Sequence, residues 1–213
     1  GIIQRQPTED EPVYRLERAW IANIIYASIP QQECMAHHAW IAQTLEEQST
    51  DRKVEHDDLL AFHYSRSHKV SKAIEYLTKA GHRAQRCFNN TDAVDFYERG
   101  LDLLHDAGRS APERMWEVHE GLGDALKAIR RYNDALTNYK KLLNLNAGTD
   151  AAAQSAQADI RHRIAEVYIH QSAWADALTF LKSAQETLEQ REDISGELST
   201  PELLGEIYHH LGY

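Results

Sequence analysis

Apolar residues return along this chain at helical spacing, and a small residue keeps recurring at one place in the pattern. Leu122-Gly123 is followed by Leu126, Ala135 and Tyr139, and Ile164-Ala165 by Tyr168, Ala177 and Leu181. Leu60-Ala61, Tyr64, Ala73, Leu77 and Ala80 repeat the arrangement, as do Ala80-Gly81, Ala84, Ala93, Tyr97 and Gly100. Leu204-Gly205 and Tyr208 supply a fifth opening segment. The anchoring small residues fall at 61, 81, 123, 165 and 205, with separations of 20, 42, 42 and 40. A small residue held in phase lets two helix backbones approach, so the pattern predicts stacked helical hairpins.

The order of residue types resembles the tetratricopeptide (TPR) repeat, in which an L-G-x2-Y helix is followed by an A-x3-F helix. The resemblance implies an all-α fold, a right-handed α-solenoid of TPR-like helical hairpins with about ten helices. The usual TPR period is about 34 residues, so the longer step here calls for longer helices or connections. The polar or Ala-rich stretches Asn144–Asp159 and Gln190–Thr200 provide connections of that kind.

Helix signals subdivide the chain further. A first helix is expected over Pro12–Ser28, opened by the first-turn Pro12 behind Glu9, Asp10 and Glu11 and stopped by Pro30. Helices are then expected over 31–48, 57–67, 70–88, 91–106, 112–129, 132–146, 152–171 and 174–190, with Pro201 opening a last one. Trp174 and Tyr132 hold equivalent places at the starts of closing helices, where an aromatic ring packs into the hairpin turn.

Composition narrows the class. Only 10 Gly and 5 Pro in 213 residues leave little turn chemistry for a many-stranded fold. A formal charge of −10, from 23 Lys and Arg against 33 Asp and Glu, argues against nucleic acid as a partner. The clusters His82-Arg83-Gln85-Arg86 and Lys127-Arg130-Arg131 read as solvated helix faces. No apolar run reaches the roughly 18 residues of a membrane span, and GIIQRQPTEDEP lacks the parts of a secretory signal. A cytoplasmic protein without membrane contact is expected. The two cysteines, Cys34 and Cys87, stand in helical patterns without a CxxC and read as core thiols.

The first fifty residues stand outside the repeat. Tyr14-Arg15-Leu16, Ala19, Ile21, Tyr26-Ala27-Ser28-Ile29 and Pro30, then His38, Ile41-Ala42 and Leu45-Glu46, resemble the segment after the nucleotide-binding domain of STAND-type signalling ATPases. There a winged-helix-like region ends in F-x-x-x-x-I-x-x-x-x-Y-x-S-L, and the next helix carries L-H-x-x-I-A-x-x-L-E. Residues 59–104 resemble the continuation seen in members fused to adenylate or guanylate cyclase domains. Arg18 stands where that family often has His, and His37 where Leu is common. The resemblance implies two regions: 1–50 as the helical segment after the ATPase domain, and 51–213 as a TPR-like array whose last repeat is truncated. It places the ATPase machinery, and any cyclase, outside this chain.

No catalytic centre is expected within it. There is no G-x-x-x-x-G-K-[ST] phosphate loop and no G-x-S-x-G elbow. The neighbours His37-His38 and His209-His210 point about 100° apart on a helix, and no H-E-x-x-H accompanies the 12 histidines. Neither a metal nor any other cofactor is expected.

What remains is binding. In TPR folds the opening helices line a groove, and the matching positions here are His82, Gln85 and Arg86, then Glu117, Glu120, Asp124 and Lys127, then His162, Glu166, Ile169 and His170. Such a mixed groove suits a peptide or protein partner. The expected function is an interaction and regulatory sensor segment of a signalling ATPase, whose partners include the upstream ATPase domain of the same polypeptide. The alternatives are a free-standing TPR scaffold or adaptor, and a helical module of a transcription regulator. The half repeat Leu203–Tyr213 leaves Leu204, Ile207, Tyr208 and Leu211 without a closing helix, so self-association or fraying is expected there.

Overall fold

The computed structural model describes residues 3–6, 13–16, 19–52, 57–106, 112–145 and 151–189, together with Gly205 and His209. The half repeat Leu203–Tyr213 and the Pro201 helix start therefore lie outside the described residues, those two excepted. The chain divides into two compact units, Gly1–Tyr76 and Leu77–Tyr213.

The first unit opens with a two-stranded antiparallel hairpin, β1 (Ile3–Gln6) and β2 (Val13–Leu16), in which Ile3 pairs with Leu16 and Gln6 with Val13. This corrects the expected helix over Pro12–Ser28. Val13 and Tyr14 are residue types that favour a pleated strand, and the helix α1 begins only at Ala19 and ends at Ser28. Pro30 then caps α2 (Gln31–Arg52), its carbonyl accepting from the Cys34 amide at 3.0 Å. Next comes α3 (Asp57–Ser65), closed by Ser67, whose hydroxyl donates to the Tyr64 carbonyl at 2.9 Å and accepts from the Lys69 amide at 3.1 Å. That turn feeds α4 (Val70–Arg86).

The second unit is a run of helical hairpins. It contains the end of α4, then α5 (Asn90–Asp106), α6 (Pro112–Ala128), α7 (Tyr132–Leu145), α8 (Ala151–His170) and α9 (Trp174–Glu189). Each helix from α5 onward packs on the next. The fold is thus all-α beyond the short hairpin, and built of TPR-like helical hairpins. Among the described residues no helix is long and apolar enough to cross a membrane.

The small-residue column has a direct packing cause. A Cβ placed on Gly81 would come within 2.6 Å of the Tyr97 ring, and one on Gly123 would overlap the Tyr139 ring. Both rings are fully buried. In the third hairpin the small residue is Ala165, and the partner 16 residues on is Leu181 in place of a tyrosine. The extra methyl of alanine is accommodated where the facing side chain has lost its ring.

The turns repeat with the same step. Phe88, Arg130 and Ser172, each 42 residues after the last, adopt left-handed backbone at φ 58°, 63° and 58°. Each ends an opening helix with the same pair of bonds. The Asn89 amide reaches the Ala84 carbonyl at 2.8 Å, Arg131 reaches Leu126 at 2.9 Å and Ala173 reaches Tyr168 at 2.9 Å. The left-handed residues donate to Gln85, Lys127 and Ile169. These are Schellman ends, made without the glycine that usually occupies them.

Candidate functional site: the face of the opening helices

Polar side chains of α4, α6 and α8 meet across successive opening helices. His82 sets Nδ1 at 3.1 Å from the Tyr97 hydroxyl and Nε2 at 3.4 Å from Glu117 Oε1. Gln85 accepts from the Tyr97 hydroxyl at 2.8 Å and donates to the Gly121 carbonyl at 3.2 Å, tying α4 to α6. Between α6 and α8 the links are ionic. Arg163 donates to Glu120 at 2.9 Å and to Asp124, and Lys127 donates to Glu166 at 2.7 Å. The Tyr139 hydroxyl supports the ladder from beneath, donating to the other Asp124 oxygen at 2.6 Å. With about a third of each Arg163 and Glu120 side chain exposed, each pair contributes about 1 kcal/mol or less.

The local field follows from this arrangement. Burial alone would lower the Arg163 pKa, but the Asp124 hydrogen bond and the charges of Asp124 and Glu120 hold it above its ordinary value. Burial pushes the Tyr97 and Tyr139 hydroxyls up, and the Asp124 carboxylate reinforces both shifts, so they remain donors. His162 is lowered by burial. Its Nδ1 stands 3.7 Å from Glu166, beyond a hydrogen bond, and its Nε2 is buried without a partner. A polar atom held dry and unpaired costs about 1–3 kcal/mol. Between α6 and α7, His119 and Asn138 satisfy each other, Nδ1 lying 2.6 Å from Oδ1 while the amide donates to the His119 carbonyl.

No family model matches the chain, and no curated protein matches it. Among solved structures, the TPR domain of FLU from Arabidopsis is 18% identical, over 57% of this chain and 98% of that one, at a TM-score of 0.48. BtubC from P. vanneervenii is 15% identical, over 86% and 67%, at 0.49. TPR-like repeats described as kinesin light chain from Podosopora anserina are 14% identical, over 81% and 93%, at 0.46. Likenesses of this strength add nothing to what the helices themselves show.

Of the residues picked from the repeat template, His82, Gln85, Glu117, Glu120, Asp124, Lys127 and Glu166 are brought together on this face, with His162 beside them. Arg86 is exposed in the last turn of α4. Ile169 packs on the Ala165, Ala177 and Leu181 cluster, and the His170 ring stacks on Tyr132 at 5.7 Å and 10°. Template reasoning passed over Arg163, the residue with two carboxylate partners. Stepping back 42 residues from Arg163 lands on Gly121, where the Tyr97 ring leaves no room for a Cβ, so the earlier repeat gives no charged residue to compare.

The reading of both cysteines as core thiols is corrected. Cys34 is half-buried and Cys87 is exposed, because Cys87 lies past the last α4 residue where the chain turns toward solvent. In the first unit His38 and His63 set their Nδ1 atoms 2.8 Å apart, and the Tyr26 hydroxyl lies 2.8 Å from His38 Nε2. Among the described residues no group of three or more His, Cys, Asp or Glu is placed to hold a metal.

Proposed function

We propose that this chain is a protein-interaction segment that holds a peptide or protein on the face built by α4, α6 and α8. The observation that carries this reading is the gathering of charged and polar side chains from three successive opening helices onto one face. The pairs Arg163–Glu120 and Lys127–Glu166 fix those helices at their spacing, and the exposed His82 and Glu117 side chains offer polar groups to a guest. A prearranged polar surface suits an extended or helical segment of mixed charge.

The test is capture of partners from a cytoplasmic extract by the whole chain and by two variants. Glu117→Lys alters an exposed charge, and the swap Lys127→Glu with Glu166→Lys keeps the ion pair while reversing its direction. Partners bound at this face should be lost about tenfold at unchanged melting temperature. Capture that neither variant alters would end the proposal.

The wider reading is a sensor arm of a larger cytoplasmic signalling ATPase. It is supported by the residues that resemble the STAND segment. The parent gene should then encode a G-x-x-x-x-G-K-[ST] phosphate loop upstream. An upstream sequence without one would favour the free-standing scaffold.

A further inference from the structure

A cavity of about 350 Å3 opens in the first unit. It is lined by Ala39, Gln43, Glu46 and Glu47 of α2, Tyr64 of α3, Lys69 just ahead of α4 and Lys72 in its first turn. Glu46 organises its wall. Its carboxylate accepts from the Tyr64 hydroxyl at 2.5 Å, the Tyr76 hydroxyl at 2.6 Å and Lys72 Nζ at 2.6 Å, and the two tyrosine rings stack at 5.4 Å and 10°. Burial would raise this carboxyl, but the Lys72, Tyr64 and Tyr76 hydrogen bonds bring it to about 2. Glu46 and Lys72 therefore neutralise each other and stiffen the site.

Two opposite charges in the lining remain without an ion-pair partner among the described residues. Lys69 makes no ion pair with a described carboxylate, although Glu46 and Glu47 line the same cavity. Glu47 receives only the Gln43 amide, at 3.2 Å. Trp40 is 68% exposed and lies on the same α2 stripe as Gln43 and Glu47, three and seven residues before them. An exposed tryptophan on the helix that lines an open cavity with two uncommitted charges has the composition of a binding hot spot.

We propose that this cavity docks a peptide segment of a partner protein in which an acidic and a basic side chain flank an apolar one. The acid pairs with Lys69, the base with Glu47, and the apolar side chain lies against Trp40. Charge complementarity selects this occupant. A purely acidic segment would meet Glu47 unpaired, and a purely basic one would meet Lys69. The proposal shares no residue with the α4, α6 and α8 face, so either stands without the other.

The test is a nuclear magnetic resonance titration of the isotope-labelled whole chain with Ac-Asp-Leu-Lys-NH2, its reverse Ac-Lys-Leu-Asp-NH2, and the neutral Ac-Asn-Leu-Gln-NH2. One charged peptide should shift the Trp40 indole and Gln43 side-chain signals saturably, with the neutral peptide about tenfold weaker. Lys69→Glu should weaken that peptide by about tenfold or more. The swap Lys69→Glu with Glu47→Lys should transfer preference to the reversed sequence. Lys182→Glu, on α9 of the second unit, serves as the control for a charge change outside the cavity lining. Equal binding of the neutral peptide, absence of saturable shifts up to about 10 mM, or shifts confined to α6 and α8 would each overturn the proposal.

Discussion

The tightest sequence-to-packing link in this molecule is a single hydrogen. At Gly123 a methyl group would overlap the Tyr139 ring, which is fully buried and has no solvent to move into. Gly123→Ala gains about 1 kcal/mol of helix propensity but forces overpacking that costs about 1–3 kcal/mol, so a net loss is expected in urea unfolding. In the Tyr139→Leu background the same change should become neutral or stabilising, reproducing Ala165 with Leu181. Equal effects in both backgrounds would refute the coupling. The small residue was legible in the sequence as a column. Its reason was not, because the clash involves a ring 16 residues away whose direction only the folded hairpin fixes.

Among the elements, the helix ends invite intervention. Phe88, Arg130 and Ser172 hold left-handed backbone that carries a penalty for any residue with a Cβ. Arg130→Gly should stabilise the second unit by about 1 kcal/mol, read as a higher denaturation midpoint; a decrease would show that the arginine side chain contributes more than its backbone costs. The ladder between α6 and α8 sets a second expectation. Arg163→Gln should cost about 1 kcal/mol in dilute buffer, and the loss should shrink in about 0.5 M salt as screening weakens the native pairs. Helix limits from α2 to α9 were legible from apolar periodicity and cap residues, whereas β1 and β2 were not. Pro12 and its acidic neighbours carry a genuine helix-start signal, and strand pairing with Ile3–Gln6 overrides it. Arg163 escaped because a fixed template assigns roles by position, whereas its partners lie on another helix.

For the whole chain, stability should depend on pH through histidines in both units. Burial lowers the pKa of His38, His63, His119 and His162, and the charge of Arg66 lowers His38 and His63 further. An unfolded histidine titrates near about 6.5. Below that pH the unfolded chain binds protons that the native chain refuses, so their stabilisation is complete above the unfolded value and declines as pH falls through 6.5 toward the lower native values. Glu46 adds a later loss: its stabilisation holds above about 4.5 and fades as pH drops toward 2. Urea midpoints that stay level between about pH 7.5 and 5.5 would contradict the histidine part. The class of fold was legible because its repeat is periodic. The cavity beside Glu46 was not, since Gln43, Tyr64 and Lys69 share no period and meet only when α2, α3 and α4 assemble. The glycine–tyrosine and alanine–leucine pairings also set a rule for recombination. A chimera cut between α6 and α7 or between α8 and α9 would pair Ala165 with Tyr139, or Gly123 with Leu181, giving a collision in one product and a void in the other. A cut between α7 and α8 transfers each matched pair intact, so the unit that engineering or descent can exchange is the whole hairpin.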